Sequence, residues 1–487
     1  MKRQHPPQGT ALSSSRRDRR LAAHADPTLA SRAPILSRMS DPDARVFWRR
    51  RGVLGVIGVA FIVRVAWCVV AARTPVGLHD PSAYERLAQI MADGDGYTIP
   101  GGTDIPAGAT AYYPIGYPAV LASLRYLADA VGVTTSTAVL GAILQSILGT
   151  LTVAGLMELG RRWLAPSAAV AVGIAAGLYP SAVFHTAPLL SETMFIALCV
   201  AALIVLPDRW WTSTAERATI GRLAGFGVLT GFALLTRPVG LPLALAPAVA
   251  VLLAEPPNRW RQLVAPVLAS AAIVCVACGV VLMPWAARNH AAFGSWTLST
   301  NTGDNLCIGN NPDATGGFGL FPWCFAEVER VQAEGGIDRP AFESWRNDSL
   351  QDKATRWMSE NPGRQPGLIW DRTKALMSND TDGLDAAQSW GQDVFLSEGQ
   401  RNVLGAIANI GYWMLLISAV PGTLLLWRRR AHTALSAVIA GWLMLAAPLI
   451  TFGTPRFHVP TMVLVCIAVG ASWAALAERA RRYVRSP

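Results

Sequence analysis

The chain has 487 residues, 52% of them hydrophobic and only 15% charged, where a typical soluble domain carries about 25% charge. A mean hydropathy of +0.33 and repeated apolar runs of about 20 residues exclude a soluble enzyme built around one core; they describe an all-α polytopic membrane protein. The net charge of +10 would suggest nucleic acid in a soluble protein, so its location decides its meaning.

Residues 1–51 hold 12 basic residues in a polar, Pro- and Ser-rich context and read as a disordered cytoplasmic tail, with no cleavable signal peptide expected ahead of the first span. Ten segments are apolar enough to span: 52–72, 136–159, 166–185, 188–206, 222–236, 238–254, 263–284, 402–426, 433–451 and 459–476. Arg49, Arg50 and Arg51 precede the first, which places the N-terminus in the cytoplasm and fixes every later connection by alternation. The predicted cytoplasmic side, including a basic tail at 477–487, then carries 26 basic and 9 acidic residues, against 15 and 23 on the other side. The basic excess is therefore an orientation signal for a multi-pass plasma-membrane protein with both termini inside, and nucleic acid drops out as a partner.

This topology leaves two long connections on the outer face. The first, 73–135, belongs to a transmembrane core at 52–284; the second, 285–401, forms an extracytoplasmic cap ahead of the spans at 402–476. In the first, Asp80-Pro81 is a helix start, with Tyr84, Leu87, Ala88 and Met91 on one face. A Gly/Pro-rich loop through Pro106 follows, then a second amphipathic helix from Pro114 to Gly132. In the cap, the Asn, Gly, Asp and Pro density after Pro284 predicts successive turns. Helices are expected near 340–360 and 366–379, separated at Asn361-Pro362-Gly363. Cys307 and Cys324 both lie in the cap, on an oxidising side that permits a disulfide.

Asp80 and Tyr84, the Gly-Asp-Gly-Tyr run at 94–97, Pro114 to Pro118 (PIGYP), Ser191-Glu192, Thr236-Arg237-Pro238, Pro284-Trp285 with Arg288-Asn289, Gly309 to Pro312, and Pro455-Arg456-Phe457 occur in an order spread over most of the chain. In that order they resemble the GT-C superfamily of membrane glycosyltransferases, in particular the family 39-like enzymes related to protein O-mannosyltransferases and the lipid A aminoarabinose transferase. Pro81 and Ser82 stand where that family often has a further acidic residue. The resemblance implies transfer of a sugar from a polyprenyl-phosphate donor to an acceptor on the outer face, with inversion at the anomeric carbon. The acceptor could be a glycan, a lipid or a protein.

Such chemistry needs a base for the acceptor hydroxyl and fixed cations for the departing phosphate. Asp80 is the expected base, although an Asp ahead of Pro also suits a helix cap. Glu192, near the outer end of a span, is a second acidic candidate; an ion pair with Arg64 inside the first span is its structural alternative. Arg237, Arg288 and Arg456 are expected on the donor phosphate because a guanidinium donates bidentately, with His290 and His458 close to two of them; each Arg alone could equally snorkel. Tyr84, Tyr113 and Tyr117 could contact substrate or serve as interfacial aromatics. No HxH or HExxH spacing points to a metal; no cofactor is called for, and a divalent ion stays open. A secondary transporter or lipid flippase is the alternative class. It would favour inverted repeats with ionisable groups near mid-membrane, and no such repeat is evident.

The topology is checked by reporter fusions. Those after Arg162, Arg261 and Arg430 should report cytoplasm, and those within 95–110 and 330–345 the exterior; a cytoplasmic signal from either long connection would contradict the assignment.

Overall fold

A computed structural model describes residues 42–101, 106–208, 210–212, 216–254 and 260–485. The bulk of the N-terminal tail, residues 1–41, lies outside the described residues. The rest of that tail differs from expectation: Pro42–Trp48 is helical, and Phe47, 2% exposed, joins the main core. Among the described residues ten apolar helices fall on the ten expected segments. Seven have spanning length, Arg51–Ala71, Thr137–Trp163, Arg217–Thr236, Val264–Phe293, Glu398–Arg428, His432–Ile450 and Pro455–Val484, and three are shorter, Pro166–Gly177, Glu192–Val205 and Pro238–Ala254. The last helix, Val459–Arg485, runs on through most of the basic C-terminal tail. Its Ala-, Glu- and Arg-rich end contains no breaker.

That helix is the centre of the bundle. Every residue from Met462 to Val469 is buried, packed against Glu398–Arg428, Pro166–Gly177 and His432–Leu443, as befits a helix apolar all round. Backbones approach closely where side chains vanish: a Cβ at Gly422 would lie 1.9 Å from the Ala468 carbonyl oxygen, and one at Gly470 would lie 2.3 Å from Val172. Small residues serve this role wherever helices pack in lipid. Ile62, Val69, Val276, Ile410 and Ile417 are exposed on the outer helices and present the apolar face that lipid requires.

Pro166–Gly177 and Glu192–Val205 do not cross the hydrocarbon core as helix alone. At 1.5 Å per residue the 12 residues of Pro166–Gly177 reach about 18 Å of a roughly 30 Å core. The expected continuous span 166–185 stops at Gly177; Pro180 begins a separate short helix, Pro180–Phe184, and irregular chain leads to Glu192. At the far end of Glu192–Val205 the terminal carbonyls are capped by arginines: Arg162 donates to Ile204 and Leu206 and pairs with Asp208, and Arg222 donates to Val205 and Leu206.

At the opposite end the two long connections pack together. Asp80–Ala92 and Gly116–Ala130 form one layer, with Tyr84 and Ala88 buried against Tyr117, Leu121 and Ala122. A two-stranded hairpin, Thr98–Ile99 with Gly108–Ala109, lies between them in sequence. In the second connection Arg339–Glu360 and Gln365–Met377 flank the break at Asn361. The turns expected before them include two helices, Thr302–Gly309 and Pro322–Glu334, joined by a Cys307–Cys324 disulfide over a small core of Ile308, Phe325, Val328, Phe342 and Leu350. Glu343 ties the connections together, accepting from Thr110 Oγ1 at 2.7 Å and the Ala111 amide at 2.6 Å.

The close approach at Gly422 makes a stability prediction. Gly422→Leu forces Glu398–Arg428 and Val459–Arg485 apart and should cost at least the 1–3 kcal/mol typical of overpacking, seen as a lowered melting temperature in detergent. Gly279→Ala, at a position open within 4 Å, should leave the melting temperature unchanged.

Candidate active site

The charged residues of the site stand where helices begin or end. Asp80 is the first residue of its surface helix, after the N-cap His79, so its carboxylate is directed to other elements. Oδ1 accepts from the Tyr113 hydroxyl at 2.8 Å and Oδ2 from Arg456. Glu192 opens its short helix with no exposed surface. It accepts from Arg237 at 2.7 Å through Oε1 and from Arg456 through both oxygens. Arg237 follows the last residue of Arg217–Thr236 in an extended conformation that Pro238 enforces, and also donates to Ser191 Oγ at 3.0 Å. Arg456 sits in the 3₁₀ turn Pro455–His458. Two carboxylates and two guanidiniums thus close a charge-balanced network, with Arg456 shared between Asp80 and Glu192.

The turn that carries Arg456 is held by a residue the sequence did not single out. Asp382 Oδ2 accepts from the Arg456 amide and from Thr454 Oγ1, both at 2.7 Å. The signal available was an acidic residue in the first turn of Asp382–Ser389, which usually means no more than a favourable helix dipole.

The tyrosines surround Asp80. Tyr84 is buried edge-on between Tyr113 and Tyr117, with ring centroids 5.0 and 5.2 Å away. Burial, then the Asp80 charge, push its phenol up to about 12. The same two causes drive the Tyr113 phenol far above its ordinary value, so it acts as a hydrogen-bond donor to Asp80 at any physiological pH. Tyr117 is 1% exposed and its hydroxyl has no partner. Gly116 lets this layer approach the network: a Cβ there would meet the Leu235 carbonyl at 2.8 Å. Asp80 remains reachable, with 31% of its side chain exposed.

Three expected phosphate ligands are engaged elsewhere. Arg288 donates to the carbonyls of Thr110 at 2.7 Å and Tyr97 at 2.8 Å and lies over Trp285, fastening the hairpin to the Trp260–Phe293 helix. His290 is exposed and stacked flat on Trp296. His458 corrects the expectation most clearly. It is buried, with Nδ1 2.7 Å from the Leu376 carbonyl, Nε2 2.9 Å from Asp380 Oδ1 and its ring stacked on Tyr412. Neither nitrogen is left for a phosphate. Asp380 itself is buried, which raises its carboxyl above the ordinary range. Arg64 makes no pair with Glu192; it donates to the carbonyls of Ala60, Ala176 and Gly177. Among the described residues no three His, Cys, Asp or Glu side chains are grouped to hold a metal.

The sequence matches no protein-family model and no curated protein. The structure is similar to that of the archaeal oligosaccharyltransferase AglB from Archaeoglobus fulgidus, solved with an inhibitory peptide and a dolichol-phosphate, over 90% of this chain at 12% identity with a TM-score of 0.50. The same enzyme tethered to an acceptor peptide aligns over 90% at 13% identity with a TM-score of 0.51. ArnT from Cupriavidus metallidurans, bound to undecaprenyl phosphate, aligns over 88% of this chain and 79% of its own at 16% identity and a TM-score of 0.39. The chain spans about half the length of AglB, 51%. At these identities what is shared is the fold, an all-α polytopic architecture.

Proposed function

We propose that this protein transfers a sugar from a polyprenyl-phosphate donor to an acceptor hydroxyl on the outer face of the plasma membrane, with inversion at the anomeric carbon. The acceptor is a glycan, lipid or protein. The observation that carries the reading is the sharing of Arg456 between a part-exposed Asp80 and a fully buried Glu192. AglB, whose fold this chain shares, was solved with a dolichol-phosphate and an inhibitory peptide, and separately tethered to an acceptor peptide, which supports a lipid-linked donor.

An arriving phosphate competes with Asp80, the part-exposed carboxylate of the network, for Arg456. When Arg456 turns to the phosphate, Asp80 Oδ2 loses its cation while Oδ1 keeps the Tyr113 hydrogen bond. The carboxylate becomes a free base only when donor is present. It then takes the proton of the acceptor hydroxyl as that oxygen bonds to the anomeric carbon from the face opposite the phosphate. The carbon–phosphate-oxygen bond breaks, its electron pair stays on the phosphate, and Arg456 with Arg237 stabilises the anion. Glu192, bridged to both guanidiniums, positions them. Arg288, His290 and His458 have no part in these steps.

Deleting the gene should make one polyprenyl-phosphate sugar accumulate, detectable by lipid mass spectrometry, and the wild-type chain should remove it. Asp80→Asn keeps volume and the acceptor for Tyr113 but takes no proton. With the accumulated lipid as donor, its turnover should fall by at least the ~10²-fold associated with loss of a general base. Its donor affinity should hold or rise, since Arg456 is released. Near wild-type turnover in folded protein would remove Asp80 as the base, and absence of any accumulating lipid would remove the proposed donor class.

A further inference from the structure

The 3₁₀ turn Pro455–His458 sends three successive side chains in different directions, as about 120° per residue requires. Arg456 meets Asp80 and Glu192. Phe457 lies under Arg237, whose guanidinium carbon is 5.9 Å from the ring centroid. His458 reaches Leu376 and Asp380. A 3₁₀ turn has poor hydrogen-bond geometry of its own, so the groups that fix this one lie outside it.

They come from one stretch of the second connection. Gly453 seats the chain directly on Gln365–Met377: a Cβ there would lie 2.2 Å from the Arg372 carbonyl oxygen and 2.8 Å from the Leu376 nitrogen. Asp382 holds the front of the turn through Thr454 Oγ1 and the Arg456 amide. Leu376 and Asp380 hold the back through the two ring nitrogens of His458. Asp380 is itself fixed, its amide donating to Asn409 Oδ1 at 2.8 Å and its Oδ1 accepting from the Tyr179 hydroxyl at 3.1 Å. A carbonyl oxygen only accepts, so His458 carries a hydrogen on Nδ1. The contact of Nε2 with Asp380 Oδ1 needs a second hydrogen, and whichever atom bears it the pair is neutral overall. It stays buried with no further counterion.

We infer that His458 and Asp380 are positioning residues for Arg456: they hold its turn so that the guanidinium can leave Asp80 for an arriving phosphate without leaving Glu192. The inference rests on the proposed role of Arg456 toward the donor phosphate. An Arg side chain has several rotatable bonds. Unless its backbone is held, the guanidinium spreads over many positions, and ordering it again lowers phosphate affinity. A histidine needed only to fill the core would be served by partners from any element. Here both partners come from the stretch that also holds the Arg456 amide, so the two ends of the turn are fixed to one frame.

The test titrates undecaprenyl phosphate onto the purified full-length protein in detergent, with affinity read by native mass spectrometry. In His458→Asn the amide can replace Nδ1 at the Leu376 carbonyl but cannot reach Asp380. Its affinity should fall roughly tenfold, the loss expected for one misplaced charged hydrogen bond. Asp380→Asn can still donate to a neutral imidazole and should bind as wild type does. Arg456→Gln, which keeps an amide donor for Glu192, should also weaken binding, and adding His458→Asn to it should weaken it no further. If His458→Asn does not fold, Thr454→Val, which keeps the shape but deletes the bond to Asp382, should weaken binding alone and not in the Arg456→Gln background. A loss of the same size in both backgrounds marks a role independent of Arg456 and overturns the inference. So does wild-type affinity in His458→Asn, or an Asp380→Asn variant as weak as His458→Asn. Wild-type affinity in Arg456→Gln would instead take Arg456 off the phosphate, removing the proposed reading and this inference with it.

Discussion

Arg456 is the hinge of the structure because it answers two carboxylates at once. Glu192 has no exposed surface, and removing one partner of such a buried pair typically costs about 3–5 kcal/mol. Meeting that demand dictates the surrounding chain. A short helix must begin at Glu192, a longer one must end before Arg237, and the last span must start late enough to leave a turn for Arg456. The two helices that fall short of the membrane thickness, Pro166–Gly177 and Glu192–Val205, are the room in which these charges meet. The Asp80 surface helix is then drawn onto the bundle by the same guanidinium, with Gly116 allowing the second surface helix to seat against Thr236.

The apolar segments and the two long connections were legible in the sequence because lipid imposes length and composition on every span. The break at Asn361 was legible for the same local reason, Asn-Pro-Gly chemistry. Pairing was not. Arg288 and Arg456 look alike as basic residues near proline at span ends, yet one binds backbone carbonyls of Tyr97 and Thr110, acceptors that every residue has and that leave no mark in a sequence. Arg64 misled in the same way, its partners being the carbonyls of a helix whose early end at Gly177 was itself missed. His458 stands two residues from Arg456, but at about 120° per residue in a 3₁₀ turn the two side chains leave in different directions. One reaches the network and the other the buried Asp380. The helices at Thr302–Gly309 and Pro322–Glu334 were hidden by Asn and Gly content that suits turns locally; burial around Cys307 and Cys324 overrides it.

The network also reconciles stability with reactivity. Two carboxylates and two guanidiniums balance while the site is empty, so no buried charge stands alone among them. The same balance silences Asp80, whose free oxygen is masked by the cation that a phosphate would take. In the proposed reaction a donor with an anionic headgroup would relieve the mask and supply the reacting sugar in one event, which would limit wasteful proton transfer when no donor is bound.

The most direct measurement is a structure of the full-length protein in a lipid nanodisc with polyprenyl phosphate bound. The account predicts the phosphate on Arg456 and Arg237, Glu192 still bridged to Arg237, and Asp80 Oδ2 released from Arg456 while Tyr113 keeps Oδ1. A phosphate seated elsewhere, with the Asp80–Arg456 pair intact, would contradict it.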